Sequence, residues 1–249
     1  MRHIIITRLN CGIYNTFETI KKRQGLTCTI DEFVIERIRL CKKLTMRSLA
    51  GQSNQHFSWW LVIDPKTPDT IRKLVKTELT LVGKIIEQGK YTEFKVPIPT
   101  DQPIMMTRLD SDDMLSKDYN KNLRQFARPL EPTTMVIEPF TWIRFDEQVS
   151  RSSGIKQAPM IRKCTQPSFV CSVCSMMRTA EDDRQIYDIK HTKLLNHIPH
   201  LIMHKGLTAG RLTGDMNVVE SNNCSWAGKC LKPISIEDTT KIKQMFSLL

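Results

Sequence analysis

The sequence predicts an α/β protein: a mostly parallel central sheet flanked by helices, with a smaller mixed β region in the C-terminal half. Three observations carry this. Strand-like apolar runs alternate with helix-like spacing over residues 1–128, the pattern of a parallel sheet covered on both faces. Beyond Pro132 the texture changes to short β-branched and aromatic runs broken by Glu138-Pro139 and Ser152-Ser153-Gly154, the pattern of a mixed sheet. Finally, the apolar run 103–109 delivers Asp110, Asp112 and Asp113 into a four-residue turn, at the kind of strand end where ligands of open α/β sheets bind. The 249 residues read as one domain, 1–249, whose parts divide near residue 128.

In chain order, residues 3–7 form the first strand, followed by a polar turn through Arg8, Asn10 and Gly12. Thr29-Ile30-Asp31-Glu32 has capping-box spacing, and Val34, Ile38, Cys41 and Leu44 follow at helical intervals, so a helix runs to near Gly51. Residues 57–63 are the second strand, stopped at Asp64-Pro65 because proline cannot continue the ladder. Thr67-Pro68 opens a helix with Thr67 as cap and Pro68 at its first position, and Ile71, Leu74, Val75 and Leu79 form its buried stripe. A third strand is expected at 92–98 and a further one at 103–109. After the acidic turn, Ser116 caps a helix whose apolar face is Tyr119, Leu123, Phe126 and Ala127. In the second half, residues 135–137, 140–145 and 169–176 are expected in the smaller sheet, helical spacing returns through Tyr187, Leu194 and Leu195, and Ile242, Met245, Phe246 and Leu249 close the chain as a short helix.

Composition is that of a globular chain, 40% hydrophobic and 25% charged. No apolar run reaches the length of a membrane span or a signal h-region, so a cytoplasmic location without a transmembrane segment is expected. Eight cysteines in such a chain read as reduced residues rather than a disulfide framework. The net charge of +11 attracts polyanions, a nucleotide, an anionic membrane surface or a nucleic acid. Because the basic residues are dispersed and lack interleaved aromatics, nucleic acid is the weakest of these, while peripheral membrane association stays open.

An acidic cluster repels itself unless positive charge sits among its oxygens. Hard oxygen ligands suit Mg²⁺ or Mn²⁺, which take one or two protein carboxylates and leave positions for phosphates and water. The structural alternative is an acidic turn that merely caps the following helix.

Met105-Met106-Thr107-Arg108-Leu109-Asp110-Ser111-Asp112-Asp113 resembles the DxD-bearing strand end of GT-A glycosyltransferases, and more narrowly the putative rhamnosyltransferase family. Further stretches fit that family in the same order: the first strand with its Thr7-Arg8 end, the run from Ser48-Leu49-Ala50-Gly51 to Trp59, and the run from Trp60 to Asp64-Pro65-Lys66-Thr67-Pro68. The resemblance implies a GT-A-like, Rossmann-like fold and a transferase that moves sugar from a nucleotide-diphosphate sugar to a glycan or other hydroxyl acceptor. Residues 1–128 would bind donor and metal, and 129–249 would bind the acceptor. It implies Asp110, Asp112 and Asp113 as holders of Mn²⁺ or Mg²⁺, with ribose contacts shared among them, and Thr7, Arg8, Asp64, Arg108 and Asp110 as donor-binding residues. Arg108 could face the diphosphate or brace the carboxylates, and Asp64 could contact the nucleoside or cap the turn before Pro65.

An inverting enzyme needs a carboxylate within hydrogen-bond reach of the acceptor. Glu181, Asp182 and Asp183 supply the local candidates, against the alternative of a solvated charge run. The resemblance also implies a histidine near His191 and a late His-Gly-x-Asn-like segment. Here Gly214-Asp215-Met216-Asn217 stands in that place, leaving Asp215, His204 and His191 as substitutes. Cys171 and Cys174 have CxxC spacing, with Cys164, Cys224 and Cys230 as conceivable zinc partners, although residues three apart on a strand point to opposite faces. Any of Trp59, Trp60, Trp142 and Trp226 is a better core residue than a sugar platform.

Two other functions compete. A metal-dependent nucleotidyltransferase on a similar fold would carry a glycine-rich phosphate loop, and 8–12 holds one glycine. A non-catalytic basic binder of nucleic acid or membrane surface would rest on charge alone and would lose affinity steeply with salt.

Overall fold

The computed structural model describes residues 2–24, 26–89 and 104–127, then the strands of the C-terminal half and Gln244. Strand β1 (Arg2–Arg8) lies at the centre. Its Ile4, Ile5 and Ile6 are buried on both faces, as expected of a strand covered on each side. β2 (Ser58–Ile63) and β4 (Ile104–Leu109) flank it in parallel, and β3 (Val82–Glu87) lies parallel beyond β2.

Helices fill the connections. Gly12, with φ 72°, makes the left-handed turn between β1 and α1 (Ile13–Gln24), a helix the sequence reading missed. At α2 (Ile30–Cys41) the capping box forms as predicted: Thr29 Oγ accepts from the Glu32 amide at 3.3 Å, and Glu32 Oε2 accepts from the Thr29 amide at 2.7 Å. The helix continues through a π turn (Lys42–Met46) into α3 (Arg47–Ala50) and stops at Gly51. Then α4 (Asp69–Glu78) buries Ile71 and Val75, with Leu79 just beyond its end. Thr67 does not cap it. Pro68 is the cap residue, and the Thr67 hydroxyl instead donates to the Asp64 carbonyl at 2.6 Å.

The expected third strand at 92–98 lies outside the described residues, and β3 forms ten residues earlier in the chain, starting at Val82. Its Lys84 ammonium sits 4.6 Å from the Trp60 ring centre. After β4 and the acidic turn, β5 (Asp113–Leu115) leads to α5 (Tyr119–Ala127). Ser116 closes the turn before that helix through its carbonyl, while the side chain of Gln52 accepts from the Asn120 amide at 3.0 Å.

The C-terminal half contributes to two sheets. β6 (Met135–Pro139), β9 (Val173–Arg178) and β10 (Thr192–Leu195) extend the large sheet, giving the order β10-β6-β9-β4-β1-β2-β3. Among the described strands only β9 runs against the rest of it. The segments expected at 135–137 and 169–176 thus join the main sheet rather than the small one, and Leu194 and Leu195 lie on a strand rather than a helix. Alternation decided neither point, because a short apolar run does not identify its pairing partner. The small sheet is mixed, as predicted: β12-β8-β7-β11-β5, with β7 (Trp142–Asp146), β8 (Met160–Cys164), β11 (His200–Ile202) and β12 (Lys232–Pro233).

Period-two alternation divides the core. Ile5, Trp59, Leu61, Ile63, Met105 and Leu109 meet Val34, Ile38, Ile71 and Val75 of the helices. Ile4, Ile6, Trp60, Val62, Ile104 and Met106 form a second apolar cluster on the other face. Fully burying each of these side chains contributes roughly 1.5–3 kcal/mol. Trp59 and Trp60 are therefore core residues of opposite faces. Among the described residues no helix is long and apolar enough to cross a membrane.

Candidate functional site

From β1 the chain steps to β2 and β3 on one side and returns to β4 on the other, so the sheet's topological switch point lies between β1 and β4. Ligands of open α/β sheets bind in the crevice at that point, outside the strands' carboxyl ends. Ile6 is in register with Arg108, which brings Arg8 level with Asp110 two residues on. Their side chains meet: Arg8 Nη2 lies 3.7 Å from Asp110 Oδ1. Arg108 reaches the same oxygen at 3.3 Å and braces the carboxylate from its own strand. Asp110 keeps 30% of its side-chain surface exposed, so two guanidiniums and a carboxylate line the crevice where it meets solvent.

Asp112 points elsewhere. It is 1% exposed, and neither carboxylate oxygen has a hydrogen-bond partner among the described residues. Burial raises its pKa well above the carboxylate range, Asp113 and Asp110 add to the rise, and Arg37 opposes it. The buried Asp113 opens β5, and its amide closes the turn on the Asp110 carbonyl at 3.2 Å.

Asp64 lies at the end of β2 on the same edge, fully buried. Its amide donates to Asn10 Oδ1 at 3.1 Å and its Oδ1 accepts from the Lys66 amide at 2.9 Å, while Oδ2 has no partner among the described residues. Asn10 Nδ2 donates to the Thr67 hydroxyl at 2.9 Å, tying the β1 and β2 loops together. Thr7 is placed differently. Its hydroxyl is fully buried and accepts the Trp59 indole N–H at 2.9 Å, so it supports the sheet from within and does not face the crevice.

Behind the turn runs a ladder of side chains from the α2–α3 segment. Arg37 Nε donates to the Leu9 carbonyl at 2.8 Å, and its Nη2 donates to Ser111 Oγ at 2.5 Å. The Thr45 hydroxyl, in the π turn, reaches the carbonyls of Asp113 at 2.9 Å and Asp110 at 3.3 Å. Ser48 Oγ accepts from the Leu115 amide at 3.2 Å, and Gln52 Nε2 donates to the Ser116 carbonyl at 2.7 Å. The sequence reading gave these residues no role at the site, although Ser48 and Gln52 fall within the family-like run from Ser48 to Trp59. Thr45, Ser48 and Gln52 follow one another at three- and four-residue intervals, a polar stripe legible as one face but silent about what it faces, and Arg37 stands apart from it, eight residues earlier.

The acidic turn fits a divalent cation in one respect: Asp112 is a buried carboxylate with no other compensating hydrogen bond. Among the described residues no three His, Cys, Asp or Glu side chains converge on one point, so the described residues would supply one or two ligands and leave the rest to phosphate, water or other groups. Glu181, Asp182, Asp183, His191, His204, Asp215, Cys171, Cys224, Cys230 and Trp226 lie outside the described residues. Cys174 lies on β9, in register with Arg108.

The strand order, with β9 alone reversed among the described strands, and the charged switch point define an α/β protein with a mostly parallel central sheet. The chain belongs to the family described as "Putative rhamnosyl transferase", whose model matches residues 15–223, and thus to a family of glycosyltransferases. Among curated proteins no relative matches. Among solved structures it is similar to S. aureus TarS, at 17% identity over 56% of this chain and 21% of that one, TM-score 0.31. It is also similar to TarS 1-349, at 13% identity over 82% of this chain and 60% of that one, TM-score 0.38. The same fragment in complex with UDP is 12% identical over 82% and 61%, TM-score 0.37. This chain thus spans between 21% and 61% of the length of those structures.

Proposed function

We propose that the chain transfers a glycosyl group from a nucleotide-diphosphate sugar to a glycan or other hydroxyl acceptor, with Mn²⁺ or Mg²⁺ at the acidic turn. The observation that carries this reading is the pairing of Arg8 and Arg108 with Asp110 at the switch point, in a chain of a glycosyltransferase family.

When bound, the cation supplies positive charge to the diphosphate as it departs. Asp110, Asp112 and Asp113 are the candidates to hold it, one or two of them as direct ligands and the remainder as ribose contacts. Arg8 and Arg108 orient Asp110 and add positive potential where phosphate charge develops. Asp64, with an oxygen left over after its backbone contacts, accepts from the nucleoside. Thr7 acts only through the sheet beneath. Glu181, Asp182 and Asp183 are the candidates for the base that takes the acceptor hydroxyl's proton, and residues 129–249 would shape the acceptor site.

The test is thermal stabilisation by a panel of nucleotide sugars with and without Mn²⁺ or Mg²⁺, since a ligand of the folded state raises the melting temperature. Metal-dependent stabilisation, lost in Asp112→Asn and Asp113→Asn, is the expected result. No stabilisation by any donor, together with undiminished transfer by those variants, would overturn the reading. Pyrophosphate release would instead mark a nucleotidyltransferase.

A further inference from the structure

We propose that Arg37 is a positioning residue that fixes the separation of the two walls of the crevice at the switch point. This rests on the crevice being the donor site. One wall is the β1 loop beginning at Leu9, and the other is the β4 turn beginning at Asp110. No backbone hydrogen bond joins these loops among the described residues. The guanidinium of Arg37 does so, through the Leu9 carbonyl and Ser111 Oγ.

Three features suit it to that task. A guanidinium offers donors at fixed separation in one plane, so two acceptors held by it cannot drift apart independently, whereas an ammonium on a flexible stem imposes no such spacing. The residue stands on a helix locked into the core by Val34, Ile38 and Cys41, so its base does not move with either loop. Each acceptor is also tethered a second time: the Leu9 amide donates to the Val62 carbonyl at 2.9 Å, and the turn carrying Ser111 is gripped by Thr45 at the Asp110 and Asp113 carbonyls. Arg37 is therefore a cross-member that adds to the β1–β4 pairing beneath and the Arg8–Asp110 ion pair beside it, and Arg8 and Asp110 project from the parts it holds.

Single-residue amide exchange on the full chain tests this with Arg37→Met, Arg37→Lys, Ser111→Ala and the Arg37→Met/Ser111→Ala pair. Arg37→Met should speed exchange at the Leu9 and Asp113 amides about tenfold and leave the Val75 amide of α4 unchanged. Arg37→Lys should not restore the rates. Ser111→Ala should reproduce the effect at Asp113 but not at Leu9, and the double variant should add nothing further at Asp113. Affinity for Mn²⁺ with UDP, dTDP or GDP, whichever the wild type binds, should fall about tenfold in Arg37→Met. Unchanged exchange at both amides, rescue by lysine, or acceleration spreading to Val75 would each overturn the proposal, the last by marking a general loss of stability. A wild type that binds none of the three diphosphates would overturn the donor reading, and the exchange rates would still decide the role of Arg37.

Discussion

Arg8 Nη2 and Asp110 Oδ1 stand 3.7 Å apart across the topological switch point, one from the end of β1 and the other from the turn after β4. Asp110 is shared with Arg108, so the crevice carries two cations against one solvent-facing carboxylate. That surplus suits a polyanionic ligand. Replacing Arg8 with Met should weaken nucleoside-diphosphate binding about tenfold, roughly 1.4 kcal/mol, measured by calorimetry, while Arg8→Lys should recover part of the loss.

Asp112 has a buried carboxylate whose charged form is disfavoured without a cation. Asp112→Asn should therefore leave the metal-free protein at least as stable as wild type in thermal melts. It should abolish the additional stabilisation by Mn²⁺ with nucleotide and lower turnover on the order of a hundredfold or more.

Asp64→Asn keeps an oxygen for the Lys66 amide and changes the atom left without a partner. Melting temperature should stay close to wild type, and nucleoside-diphosphate affinity should fall about tenfold. Equal affinity in the variant would remove Asp64 from the donor site.

His3 is buried between Asn120 Oδ1 at 2.6 Å and Thr107 Oγ at 2.7 Å, and burial lowers its pKa from 6.5 to about 4. The unfolded chain thus binds a proton near pH 6.5 that the folded chain refuses until about pH 4. The stabilisation from this residue is complete above pH 6.5 and is lost as pH falls toward 4. The loss is about 3 kcal/mol at most. Denaturant melts at pH 7 and 4.5 should show it, and a His3→Gln variant should show a smaller difference between the two.

Thr29→Ala removes the side-chain half of the α2 capping box. It should cost about 1 kcal/mol in denaturant unfolding, without altering nucleotide affinity, because the cap lies at the far end of α2 from Arg37 and its bonds.

Much of the frame was legible locally. The capping box at Thr29, the proline stop after Asp64 and the short apolar runs of β1 and β4 each depend on neighbours in sequence, so composition and spacing sufficed. The α1 helix was not legible, because its apolar positions Ile13, Phe17 and Ile20 are diluted by lysines and a polar first turn. Thr67 misled because its hydroxyl turns back to Asp64 and not forward into α4.

The sequence by itself determined the family, the alternation of strands and helices, and the delivery of three carboxylates to a strand end. These follow from short-range periodicity, turn chemistry and motif order. Tertiary structure alone decided which carboxylate meets solvent and which is sealed, that Arg8 rather than Thr7 faces the crevice, and that Arg37 spans it. Those outcomes depend on which groups the packed chain brings within hydrogen-bond reach across large sequence separations. A parallel sheet sets that by placing β4 against β1 after two crossovers, and the order of residues along the chain does not record it.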